Sequence, residues 1–112
     1  MSTLPDAPMK AAVEEVIDLL GDEYDFERRD ATTQEYVVNA EDVMMHIEAL
    51  SSTFIRAVAG TENVDDYRGF LKATSDVQKG DRVAIGGEYH IVTSLDNWET
   101  HLEINLRESD VD

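Results

Sequence analysis

Residues 80–94 read GDRVAIGGEYHIVTS, two short extended-type runs on either side of the pair Gly86-Gly87. Glycines between β-branched and aromatic residues are a strong local signal for a β-hairpin, because a tight turn between antiparallel strands needs residues that tolerate positive φ. The stretch predicts strands over 82–85 and 88–94. Two registers compete. A two-residue Gly-Gly loop sets Val83 opposite His90 and mixes polar with apolar on one face. A three-residue loop closing with Gly87 in the left-handed region sets Val83 opposite Tyr89 and gathers Val83, Tyr89 and Ile91 on one face. The second is the expected register, since one-residue slips exchange the faces of a strand.

Outward from the hairpin the same period recurs. Leu102, Ile104 and Leu106 alternate with His101, Glu103, Asn105 and Arg107, a last strand before the acidic tail 108–112. Upstream, DVQKGD at 76–81 reads as a turn, 67–73 as a strand containing Gly69, and GTENVDD at 60–66 as a polar surface loop. Tyr24, Phe26 and Arg28 alternate with Asp25, Glu27 and Arg29, and a weaker extended segment at 35–38 follows the turn 30–33, so these two predict another hairpin. Residues 39–60 are ambiguous. Val43, Ile47, Leu50, Phe54 and Val58 fit one long helix face, which periodicity slightly favours, whereas Val43, Met45 and Ile47 also alternate as a strand.

The N-terminus is of a different kind. Residues 1–7 read as a leader, Pro8 suits a first helical turn, and Met9, Val13, Val16, Ile17 and Leu20 recur at helical spacing until Gly21. The expected organisation is one mostly β (α+β) domain over 8–107, with an amphipathic helix at 8–20 and β structure over 24–107. A chain of 112 residues is too short for two cores.

Charge narrows the setting. Twenty-five Asp and Glu stand against nine Lys and Arg, of which only Lys10, Lys72 and Lys79 are lysines, for a net charge of −16. Such like charge strains a compact state in dilute buffer and is screened within about 3 Å at molar salt, so the composition points to a halophile cytoplasm. An ordinary acidic protein and a DNA mimic remain alternatives. There is no Cys, which removes disulfides, thiolate zinc sites and thiol nucleophiles. No signal peptide or membrane span is evident, so the chain is expected in the cytoplasm or in a particle assembled there.

The chemistry-bearing residues point away from catalysis. His46, His90 and His101 lack the short spacings that bring ligands together, so no metal and no cofactor is expected. Asp65 with Asp66 and Asp22 with Glu23 sit in expected loops without an apolar pocket and read as solvated surface. Lys79–Asp81 and Gly86 belong to no phosphate-binding pattern. Arg28, Arg29, Arg56, Arg68, Arg82 and Arg107 form no basic stripe, so tight binding to a phosphate backbone is not expected. Trp98 stands outside the strands and suits either an interface anchor or a cap on the end of the fold.

The ordered set DVMMHIEALSS (42–52), TFIRAVAG (53–60), DYRGFLKA (66–73), DVQKGDRVAIGGEYHIV (76–92) and HLEINLRE (101–108) resembles the head-completion, or head–tail stopper, proteins of tailed viruses. Its most telling part is the hairpin with Gly80, Asp81, Arg82, Val83, Ile85, Gly87, Tyr89 and Ile91. The resemblance implies a small β-barrel with strand at 42–50 and a short helix at 52–59. It implies a homo-oligomeric ring, with a dodecamer as the expected form, between a portal or adaptor protein on the head side and a tail terminator or tube protein on the tail side. The corresponding location is the virion of a haloarchaeal tailed virus. Ala59, Gly60, Thr61, Glu62, Asn63, Val64, Asp65 and Asp66 match the segment that reaches into the channel, where acidic side chains let DNA pass without specific binding. Asp81, Arg82, Gly86, Gly87, Tyr89 and Trp98 are the candidate hairpin and interface residues. A neighbouring adaptor or tail-completion ring, and an acidic protein-binding module, are the alternatives.

Overall fold

The computed structural model describes residues 6–50 and 66–109. Helix α1 (Asp6–Leu20) precedes strands β1 (Asp22–Arg29), β2 (Tyr36–Ala49), β3 (Tyr67–Lys72), β4 (Arg82–Ile85), β5 (Glu88–Asn97) and β6 (His101–Glu108). The strands close a barrel in the order β1-β2-β3-β6-β5-β4, with every neighbouring pair antiparallel. The mainly β barrel with an N-terminal helix is thus the fold that the alternation and the resemblance predict. The short helix expected at 52–59 lies outside the described residues.

A closed barrel turns every second residue inward, which is why alternation carried the signal. Phe26, Met45, Leu71, Val83, Val92, Leu102, Ile104 and Leu106 fill the interior, with Val43 and Ile47 packed against them. The long helix that periodicity favours over 39–60 does not form across 39–49. Here β2 is hydrogen-bonded to β1 on one edge and β3 on the other, and its period-two residues reach the core. Its 14 residues wrap the barrel by bulging. Tyr24 pairs with Val43 but Phe26 with Ala40 and Glu27 with Val38. Asp42 takes a φ of 54° there, and its N–H donates to Asp25 Oδ1 at 2.9 Å.

The β4–β5 hairpin corrects the expected register. Val83 pairs with His90, Ala84 with Tyr89 and Ile85 with Glu88, so the loop is Gly86-Gly87 alone, both residues at positive φ (61° and 87°). Val83 shares the inner face with His90 and Val92, not with Tyr89 and Ile91. The interior accepts a histidine because its polar edge is satisfied: Nδ1–H donates to the Glu88 carbonyl at 3.0 Å. The ring also meets that of Tyr67 edge to face, 5.2 Å between centroids. Tyr89 turns outward, where Arg82 stacks on it.

Helix α1 starts two residues earlier than expected and lies against β2, β3 and β6. Ile17 is its buried anchor, and Lys72 Nζ reaches Asp18 Oδ1 at 2.8 Å. Gly21 ends it through space rather than through a left-handed turn. A Cβ at this position would lie 2.6 Å from the Ile17 carbonyl oxygen and 2.7 Å from that of Met45. Among the described residues no helix is long and apolar enough to cross a membrane.

Candidate functional site

Three places on the barrel surface gather chemistry. The first is made by α1. At 100° per residue, Met9, Ala12, Val13, Val16, Ile17, Leu19 and Leu20 cover an arc of roughly 160°. Only its edge, at Ile17 and Val13, is covered by the barrel, and Met9, Val16, Leu19 and Leu20 stay exposed, Leu19 by 75%. Between helix and barrel runs a groove of about 370 Å³, walled by Met9, Val13 and Val16 and floored by His46, Phe70 and His101. The floor is a row of rings, with His46 and Phe70 stacked at 6.1 Å and Phe70 and His101 at 6.0 Å. Contiguous exposed apolar area of this kind makes this face a candidate contact surface.

The second lies at the barrel seam. β1 and β4 pair through Phe26–Val83 and Glu27–Arg82 alone, and ion pairs supplement the short ladder. Arg82 Nε donates to Glu27 Oε1 at 2.5 Å. Arg28 donates from Nε and Nη2 to the two oxygens of Asp81, each at 2.9 Å, a bidentate fork. Asp81 is 2% exposed and also accepts the Gln78 N–H at 2.9 Å. These bonds from Asp81 hold the Arg28 guanidinium above its ordinary pKa. Arg28 Nη2 also meets Asp76 Oδ1 at 3.2 Å, while Asn39 Nδ2 donates to Oδ2 at 3.1 Å. The hydrogen bond from Asn39, then Arg28, keeps the Asp76 carboxyl below the usual carboxylate range. Arg82 stacks on Tyr36 at 4.3 Å and on Tyr89 at 3.8 Å, and Arg29 lies 5.0 Å from the Tyr36 centroid. Beside this network opens a concavity of about 570 Å³ lined by Arg29, Tyr36, Lys79 and Ile91, among others.

The third is at the root of the connection between β2 and β3. Leu50 N–H donates to the Asp66 carbonyl at 2.9 Å, and Asp66 N–H donates to the Leu106 carbonyl at 2.7 Å. Asp66 Oδ2 accepts the Glu108 N–H at 2.7 Å. His90 pairs with Glu108 across β5 and β6. One oxygen each of Asp66 and Glu108 and a ring nitrogen of His90 lie within 4.8 Å of one another.

Of the residues singled out from sequence, Ala59, Gly60, Thr61, Glu62, Asn63, Val64 and Asp65 lie outside the described residues. Asp66 stands at the root cluster. Asp81, Arg82 and Tyr89 come together at the seam and hairpin, where Asp81 is consumed in closing the barrel. Gly86 and Gly87 form the turn. Trp98 is apart from them at the far end of β5, 57% exposed, its N–H donating to the His101 carbonyl at 3.0 Å. The concavity residues Arg29 and Lys79 read in the sequence as a scattered charge and a turn residue, and Tyr36 carries no signal there, although Arg28-Arg29 is the one arginine doublet in an acidic chain. Asp66, His90 and Glu108 carry no local spacing signal, because the strand order β3-β6-β5 is what gathers them.

The architecture defines a small closed antiparallel barrel flanked by one helix. No family model matches the sequence, and no curated protein matches it. Among solved structures the fold is similar to the solution structure of protein SF1141 from Shigella flexneri 2a. That likeness has a TM-score of 0.53 and 19% identity, and spans 83% of this chain and 96% of that one. At that identity it speaks to the fold alone.

Proposed function

We propose that the chain is a structural connector of a tailed-virus particle, a head–tail stopper that acts as a homo-oligomeric ring between portal or adaptor and tail. The observation that carries this reading is a pair of different surfaces on one chain, one apolar with acidic neighbours and one concave with basic residues. The open apolar face of α1 has Glu15 beside it on the helix, and Asp22 and Glu23 follow the helix end, all exposed. The concavity beside the seam offers Tyr36 and Ile91 between Arg29 and Lys79. Two different patches that fit each other make a heterologous contact, and a heterologous contact that closes makes a ring. At molar salt the apolar area supplies the affinity, while the charges select the orientation. The stopping role then falls to the 59–66 segment that the resemblance assigns to the channel, where acidic side chains repel phosphate and obstruction of DNA is steric.

Mass measurement in molar KCl tests this. The wild-type chain is expected as a closed oligomer. Leu19→Asp and Arg29→Glu each remove one of the two patches, and each variant alone is expected to be monomeric with an unchanged circular dichroism spectrum. Mixed, they retain one good contact and form a heterodimer. A wild-type chain that stays monomeric at high concentration, or pairs one-to-one with a single basic protein, overturns the ring and favours the acidic binding module.

A further inference from the structure

We propose that Asp66, His90 and Glu108 form a binding site for a divalent metal ion of the zinc class, placed at the root of the connection between β2 and β3. The argument begins with the imidazole. His90 is 3% exposed, and its Nδ1 faces the Glu88 carbonyl, which can only accept, so Nδ1 carries the hydrogen. In the neutral ring the lone pair is then on Nε2. Histidines that bind metals are oriented in the same way, the distal nitrogen donating to a carbonyl so that the other can ligate.

The carboxylates are placed with similar care. The backbone bonds to Leu50 and Leu106 and the Glu108 N–H fix Asp66 against the end of β6. Glu108 stands opposite His90 at the exposed end of its strand. A hollow of about 240 Å³ opens onto these three residues, with Tyr67 and Glu88 also at its wall. Three potential ligand atoms, one of them on a buried imidazole, thus converge within 4.8 Å of one another. One imidazole with two carboxylates suits zinc, cobalt or manganese better than the all-oxygen sets that calcium and magnesium take. Bonds of about 2.1 Å in a tetrahedron place ligand atoms about 3.4 Å apart. The ligand atoms, within 4.8 Å of one another, reach that spacing by movement of the exposed Glu108 side chain, and water completes the shell. Such an ion would cross-link the start of β3, the start of β5 and the end of β6.

The experiment uses the full chain in molar KCl after removal of metal with a chelator. Zn²⁺ is followed by calorimetry, and Co²⁺ by its visible absorption and by NMR of the three histidines. One equivalent is expected to bind, with Tm raised and the ring resonances of His90 perturbed ahead of those of His46 and His101. Glu108→Gln, at an exposed position, is expected to weaken binding at least tenfold. Asp25→Asn is the control, since it alters a second acidic hollow, shared with Glu23, Glu27 and Asp42, that contains no histidine. Unsaturable binding, equal losses in the two variants, or perturbation centred on His46 or His101 overturns the site.

Discussion

The seam cluster and the root cluster are both polar groups built into the barrel wall, and they differ in balance. At the seam each buried acceptor meets a donor: Asp81 receives Arg28 twice and Gln78 once, and Glu27 receives Arg82. At the root, Asp66, Glu108 and His90 bring mostly acceptors together. A network whose carboxylates are matched is a structural part, even with Arg82 Nη1 buried without a hydrogen bond, and breaking it leaves charge without compensation. On the metal proposal the root cluster is instead a binding part, whose three ligand atoms a cation would draw together.

The largest expected effect breaks the completed side of this comparison. Asp81→Ala leaves Arg28 half-buried without its fork and the Gln78 N–H without an acceptor, at a seam with only two residue pairs. A loss of about 3 kcal/mol is expected, the scale for removing one partner of a buried pair. Glu108→Gln in metal-free protein should change stability by less than about 0.5 kcal/mol, as surface substitutions do. Denaturant unfolding at molar salt measures both. Equal losses would mean that the root cluster is also a finished structural network.

Next comes the hairpin that joins the two clusters in sequence. Gly86 and Gly87 both have positive φ, so Gly86→Val and Gly87→Val should each destabilise by about 1–2 kcal/mol per residue. Under a three-residue loop only Gly87 would be sensitive. A comparable melting shift for both variants supports the two-residue turn and the inward His90, and a tolerant Gly86 breaks it.

That hairpin also shows what the sequence makes legible. Strands such as 101–108 were readable because one face is apolar throughout, Leu102, Ile104 and Leu106. The register of 82–91 was not, because the residue opposite Val83 is a histidine, and an apolar-face rule rejects it. His90 is acceptable inside only once Tyr67 and the Glu88 carbonyl are beside it, and Tyr67 arrives from β3, two strands away in the barrel. Asp66 reads as part of a solvated loop for the same reason: nothing near it in sequence announces Glu108 or His90. The segment 42–49 shows the converse. Its apolar residues satisfy both periods, so the edges supplied by β1 and β3 decide for strand.

The smallest effect sharpens the seam itself, at its exposed rim. Asp76 has its pKa lowered by the hydrogen bond from Asn39 and then by Arg28, and Asp30 has its own lowered by the backbone N–H groups of Thr33 and Thr32. A carboxylate whose folded pKa lies below its unfolded value, about 3.9 for Asp, stabilises the fold above that value. The contribution is lost as pH falls through the folded pKa, since the unfolded chain then binds the proton more readily. Both groups therefore favour the folded state at neutral pH and cease to do so in acid. Asn39→Ala should raise the Asp76 titration midpoint, followed by carboxyl NMR, while leaving Asp30 unmoved, because the bonds to Asp30 are local to its own turn. Arg28→Gln should raise it too, since it removes the neighbouring charge and its hydrogen bond. If Asp76 responds to neither change, its carboxylate is solvated rim, and the ordered donors of the seam end at the buried Asp81.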